Sequence, residues 1–282
     1  MRRWMRFALT LLAAMAAFRL APGLAGLWQG RIAQPALAWL HRLTAALAFP
    51  LLEPLALVGL LLCLRRRTRA AALAVSLGMY ALLWYPAYFA APAETSDPPG
   101  DVSAVCAELI DRLNDAPLDF DAPFGEAGAA ASLPGARVKP ARYPEWMRAM
   151  DIAGLFSPWT GEALVDAAAP EGYLPFTCVH ELMHLRGVAD EGAANIAAYR
   201  ACTAYGGAFA DSARLWALRY ALGRLDDADR ARLTLRMGPR LRALTVSSVP
   251  RTPSPLARLL GIGEATRDYD ALLGWLTSVG RV

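Results

Sequence analysis

Phe176-Thr177-Cys178-Val179-His180-Glu181-Leu182-Met183-His184-Leu185-Arg186-Gly187, continued by Asp190-Glu191-Gly192-Ala193-Ala194-Asn195, is the stretch from which the rest of the chain can be read. On a helix, His180 and His184 stand four residues apart and project from one face, close enough to hold one metal ion through two imidazole nitrogens. Glu181 lies beside them, where a carboxylate can take a proton from a water activated by that metal. The chain has only three histidines, and two of them fall in this single turn.

The third ligand decides the class. Gly187 can end the helix in a left-handed conformation, and Asp190 can cap a new helix beginning at Glu191, which returns the chain toward the histidines. Two acids then come within reach. Glu191-Gly192-Ala193-Ala194-Asn195 resembles the E-x-x-A-D/N signature of gluzincin peptidases, which implies Glu191 as third zinc ligand and Asn195 as the residue that orients a ligand histidine. His180, His184, Gly187 and Asp190 resemble instead a metzincin pattern whose last histidine has become Asp. Glu191 is favoured, because Asp190 has a sufficient role as a helix cap.

Charge divides the chain. Residues 1–90 carry ten arginines and one acid, Glu53, a net +9, while the remainder is −5. The back part therefore lacks the clustered positive charge that nucleic-acid binding needs, and a nucleic-acid partner is excluded. The front reads as membrane. Ala70 to Ala91 is uncharged and closes on Trp84, Tyr85, Tyr88 and Phe89, residues suited to an interface. Leu43 to Leu64, interrupted by Pro50, Glu53 and Pro54, is a second span, and Trp4 to Leu20 is a third span or a signal sequence. Glu53, between prolines, reads as an interfacial helix start. The cluster Arg65-Arg66-Arg67-Thr68-Arg69 assigns the intervening loop to the cytoplasm and everything after residue 91 to the outside.

Residues 92–100, rich in Pro, Ser and acids, read as a linker between the anchor (1–91) and an extracytoplasmic domain (101–282). In that domain, Val102 to Leu113 has helical periodicity capped by Asp101, and residues 137–139 suit a short strand. Leu155 to Val165 reads as a hairpin, with Trp159 to Leu164, and Trp159, Thr160, Gly161 and Glu162 in particular, as the edge that binds substrate by strand addition. Helices follow the motif, and Gly238 to Gly263 reads as an extended loop before a last helix, Tyr269 to Val279. Tyr199, Tyr205, Tyr220 and Tyr269 can donate to an oxyanion, although aromatic residues more commonly serve cores. Cys178 and Cys202 lie where a bridge is conceivable.

Val138-Lys139-Pro140, Phe156-Ser157-Pro158-Trp159-Thr160-Gly161-Glu162-Ala163, Leu174-Pro175-Phe176-Thr177, the His180 to His184 turn, and Glu191-x-x-Ala194-Asn195-x-x-Ala198-Tyr199 occur in this order. The order resembles a bacterial family of membrane-anchored zinc metallopeptidases described as a domain of unknown function, most firmly over residues 137–200. Two positions depart from that family: Ala193, where members often carry a second Glu, and Asp166, where they carry Asn. The resemblance and the residues together lead to an expected fold and an expected function. The fold is mostly α, with two to three N-terminal transmembrane helices before a zincin-like α(+β) domain with a small edge-strand sheet. The function is a gluzincin-like zinc metallopeptidase of the inner membrane, multi-pass, with Zn2+ on His180, His184 and Glu191, Glu181 as base, and a peptide or protein as substrate. An inactive zinc-binding receptor or scaffold is the alternative.

Overall fold

The computed structural model describes residues 2–90, 99–122, 124–150, 152–246 and 266–279. It is mostly helical, and its one sheet, of three strands, supports the motif helix.

The chain begins with α1 (Arg2–Leu20). Helix α2 (Pro22–Trp28) then runs through a π-turn, Gln29–Ala33, into α3 (Gln34–Ala45). Helices α1 and α2–α3 meet at a bend of 110°. Buried positions on the second of these helices are Ala25, Gln29, Ala33, Leu37, His41 and Thr44, while Leu24, Leu27, Ile32, Trp39 and Leu43 are exposed. The four-residue spacing gives two faces, one packed on the protein and one apolar face turned outward. Past Glu53 in its first turn, helix α4 (Leu52–Leu64) is apolar all round, and it buries no residue. A tight turn leads to α5 (Arg69–Met79), which passes through a second π-turn, Tyr80–Trp84, to the short α6 (Ala87–Ala90).

Among the described residues, Arg69–Ala90 is the one helix long and apolar enough to cross a bilayer, and the bent pair Trp4–Leu20 with Pro22–Ala45 makes a second if counted together. The expected span from Leu43 to Leu64 does not form as one helix. Pro50 lies in the break between α3 and α4, and the thirteen residues of α4 are short for a crossing.

After Gly100, whose N–H donates to Thr277 Oγ1, comes α7 (Val102–Asn114). Asp101 caps it as expected, its Oδ1 accepting from Ala104 N at 2.9 Å. A 3₁₀ turn (Phe124–Glu126) and α8 (Ala127–Ala130) precede β1 (Val138–Pro140) and α9 (Glu145–Ala149). Strands β2 (Gly154–Ser157) and β3 (Glu162–Val165) form the expected hairpin, but β1 pairs parallel to β3 on its other side, giving the order β1-β3-β2. Helix α10 (Leu174–Leu185) packs on this sheet, and α11 (Glu191–Tyr205), α12 (Gly207–Arg224), α7 and the last helix enclose the core with it.

Helices α13 (Asp227–Thr234) and α14 (Pro239–Val246) follow, so the front of the expected 238–263 loop is helical; residues 247–265 lie outside the described residues. The last helix, α15, covers Thr266–Val279. Most of the expected linker, residues 91–98, also lies outside the described residues.

Candidate metal centre

Helix α10 starts where Pro175 fits a first turn and Ser212 of α12 accepts from Phe176 N at 3.0 Å, satisfying a donor that a helix start leaves open. It stops in a Schellman turn. Val188 N reaches back to Met183 O at 3.2 Å and Gly187 N to His184 O at 2.8 Å, with Gly187 at φ 93°. A side chain at Gly187 would also collide with Gln34 Oε1, 2.6 Å from where its Cβ would stand. The same turn aims the Val188 carbonyl at His184, whose Nδ1–H donates to it at 2.7 Å. Nε2 is thereby the atom that faces the cluster. Three residues on, Asp190 Oδ1 accepts from Ala193 N at 2.8 Å and starts α11, which brings its first residue, Glu191, over the histidines.

The three candidate ligands converge. His180 Nε2 lies 3.1 Å from Glu191 Oε2 and 3.2 Å from His184 Nε2, and His184 Nε2 lies 3.4 Å from Glu191 Oε2. Donors about 2.05 Å from a tetrahedral ion stand about 3.3 Å apart, so the three separations fit one zinc-sized ion. Asp190 is occupied as the cap, and the metal-capable cluster among the described residues is His180, His184 and Glu191.

Electrostatics bind the set together. Burial alone would lower His184, but its hydrogen bond to Glu191 and the charges of Glu191 and Glu181 push it up to about 9. Burial would raise Glu191, and the two histidines outweigh it, holding the carboxyl well below the usual carboxylate range. Glu181 is 5% exposed. Burial pushes its carboxyl up, His180 and His184 pull it down, Glu191 adds to the rise, and the Phe156 N–H of β2 stabilises its anion. The carboxyl fits under the sheet because residue 154 is glycine: a Cβ there would stand 2.4 Å from Glu181 Oε1. Gly154 was not among the sequence candidates, and its one signal was a glycine opening an apolar strand, a mark of close backbone approach.

One wall comes from the N-terminal helices. Trp84 packs edge-on against the His184 ring at 5.7 Å and against Phe156 at 5.2 Å. Gln34 Nε2 donates to Leu185 O at 2.7 Å, at the end of α10.

The expected substrate edge is corrected. Glu162 to Leu164 belong to β3, which is paired on both sides and has no free edge. Trp159, Thr160 and Gly161 form the turn before it and face the N-terminal helices: Trp159 Nε1 donates to Ser76 O at 3.1 Å, and the Gly161 carbonyl accepts from His41 Nδ1 at 2.8 Å. Glu162 is buried in a different task. Its two oxygens accept from Leu51 N and Leu52 N at 2.8 Å each, and Lys139 Nζ, 2.9 Å from Oε1, also donates to Thr44 O and Phe49 O. The free edges are β1 and β2.

Asn195 is buried with Oδ1 unpartnered, and His180 Nδ1 is buried and unpartnered as well, so the complementary donor and acceptor exist but no hydrogen bond joins them. Of the candidate tyrosines, Tyr199 is buried in the core against Trp275, Tyr220 stacks on Trp216 and the exposed Tyr205 packs on Phe209; the side chain of Tyr269 lies outside the described residues. Cys178 and Cys202 are buried free thiols. Asp166 pairs with Arg148 and accepts from Ala168 N, which accounts for an acid at that position.

Residues 121–238 match the family model DUF3810, a protein family of unknown function. That stretch holds the sheet, both histidines, Glu181 and Glu191. No curated protein and no solved structure matches the chain.

Proposed function

We propose that the chain is a membrane-anchored zinc peptidase in which His180, His184 and Glu191 hold the metal and Glu181 is the general base. The observation that carries this reading is the trio of donor separations, 3.1, 3.2 and 3.4 Å, with a buried carboxylate beside them. A zinc ion in such a site lowers the pKa of water to about 7 and polarises a carbonyl. Glu181 takes the proton of the attacking water and returns it to the leaving amine. Its raised affinity for a proton, caused by burial, suits both halves of that task.

Substrate is held by the free edge of β2. Ala153 O and Ser157 O are taken by Asp166 N and Gly161 N, so the alternation of the strand leaves the backbone groups of Gly154 and Phe156 on the outer edge, where Phe156 N already meets Glu181. An extended peptide added there lies beside the base. The outward apolar faces of α2–α3, α4 and α5 support anchorage, and the positive charge of the Arg65 to Arg69 cluster favours a cytoplasmic turn with the metal centre outside.

Metal analysis of the full chain in detergent or nanodiscs tests this reading. About one zinc per chain is expected, and Glu181→Gln is expected to retain it while losing at least about a hundredfold in turnover. A folded preparation with no zinc affinity contradicts the proposal.

A further inference from the structure

We infer that the N-terminal helices are part of the metal centre, with Gln34 and Trp84 as positioning residues that fix the imidazole of His184 in the orientation the ion needs. The inference rests on the metal-binding reading above.

Two π-turns among the described residues build the contact. Such turns are rare, and functional sites are a frequent place for them. In the first, Gln34 N bonds to Gln29 O, five residues back. Residues five apart on an α-helix point about 140° away from each other, and the extra residue of a π-turn brings them to one side. Gln29 and Gln34 accordingly both reach Gly187. Gln34 Oε1 lies 2.6 Å, and Gln29 Nε2 2.9 Å, from the point where a Cβ would stand there. The second π-turn, Tyr80–Trp84, packs on the first, and Trp28 Nε1 donates to its Leu82 O at 2.7 Å. It ends on Trp84, which meets the His184 ring. Both irregular turns therefore converge on the end of α10 that carries this ligand.

The contact reaches His184 in three links. Gln34 Nε2 donates to Leu185 O at 2.7 Å, one of the carbonyls that a helix end leaves without a partner. The oxygen of the same amide packs on Gly187, so one side chain holds both the last turn of α10 and its stop. The next residue, Val188, accepts from His184 Nδ1 through its carbonyl at 2.7 Å. With Nδ1 held, rotation of the ring is limited further by Trp84 at 5.7 Å and Phe156 at 6.5 Å.

His180 has no comparable support, since its Nδ1 is buried without a partner. One imidazole is thus oriented before any ion arrives, and the groups that orient it come from a part of the chain about 150 residues earlier. Loss of the partners that orient a ligating histidine lowers metal affinity by about 10–100-fold. Other contacts join the same two parts of the chain without touching α10. Glu53 Oε1, for example, accepts from Tyr143 N at 3.0 Å. Breaking that contact loosens the attachment and leaves the His184 ring as it was.

The test uses the full chain in detergent. Zinc affinity is measured with a competing chelator, and the d–d spectrum of the cobalt-loaded protein reports ligand geometry. Gln34→Met keeps the length of the side chain and removes its donor. Zinc affinity is expected to fall at least about tenfold and the cobalt spectrum to change. Trp84→Phe is expected to change the spectrum and lower the affinity as well, and it decides alone if Gln34→Met does not fold. Glu53→Met is expected to keep both readouts at their wild-type values. Wild-type affinity and spectrum in the folded Gln34→Met and Trp84→Phe proteins overturn the inference, as does an equal loss in Glu53→Met. A wild-type chain that binds neither ion overturns the metal centre itself, a failure distinct from the other two.

Discussion

Leu57 and Leu109 lie near the middles of two helices of equal length, α4 and α7, each thirteen residues. Leu57 is 58% exposed and Leu109 is fully buried. Helix α7 buries Val105, Cys106, Leu109, Ile110 and Leu113 and turns Glu108, Asp111 and Arg112 outward, the stripe expected of a helix between a core and water. Helix α4 has no such stripe. The surrounding helices repeat the contrast, since α2–α3 buries Gln29, His41 and Thr44 and exposes leucines. The N-terminal helices turn many apolar residues outward where the rest of the chain turns them inward, and the sheet turn Trp159 to Glu162 is where the two are fastened.

Removing the fastening is expected to have the largest effect. Glu162→Ala leaves Lys139 buried without its carboxylate and the N–H groups of Leu51 and Leu52, at the start of α4, without an acceptor, and a loss of about 3–5 kcal/mol is expected in denaturant unfolding of the detergent-solubilised chain. The contrast between α4 and α7 is sharpened by paired truncation. Leu109→Ala is expected to cost about 2–5 kcal/mol by the same measurement, whereas Leu57→Ala is expected to cost less than about 1 kcal/mol, because no protein neighbour encloses it. Similar costs at both positions would show that α4 is covered by protein.

The metal centre adds a pH dependence that the N-terminal helices do not share. In the metal-free protein His184 is held up to about 9, above its ordinary 6.5, so its contribution to stability is present in full below about 6.5 and is lost as pH rises through about 9. Metal affinity runs the other way. The ion displaces that proton, so affinity measured with a competing chelator is expected to rise about tenfold per pH unit between about 6.5 and about 9. The smallest effect is at the cap. Asp190→Ala is expected to cost about 1 kcal/mol and to keep the metal, while Glu191→Ala loses it; the reverse outcome in metal analysis makes Asp190 the ligand.

What the sequence made legible was local. The two histidines, the Gly187 stop and the Asp101 and Asp190 caps each depend on residues within a turn or two, and the structure forms them as read. Strand order was not legible, because whether β3 is an edge depends on β1 arriving from residues 138–140, and no spacing within 155–165 carries that information. For the same reason Glu162 was misread: an acid in a hairpin gives no hint that helix α4 begins against it. Trp84 was read as an interfacial aromatic, and its place beside His184 follows from the packing of α5 on the domain, a tertiary fact. The span read from Leu43 to Leu64 was overread, since the break at Pro50 divides a run that composition alone joins, whereas the bend after Leu20 falls where the first segment was read to end.

The grip of Glu162 on α4 has a consequence for biogenesis. The two N–H groups it accepts from are 110 and 111 residues earlier in the chain. At about 5–20 residues per second, roughly 5–20 s of translation separate the emergence of Leu52 from that of its acceptor. Throughout that interval the start of α4 lacks Glu162 as acceptor for these groups, and water must satisfy them. The start of α4 is therefore made long before its acceptor, and it is capped by Glu162 only when the sheet has formed.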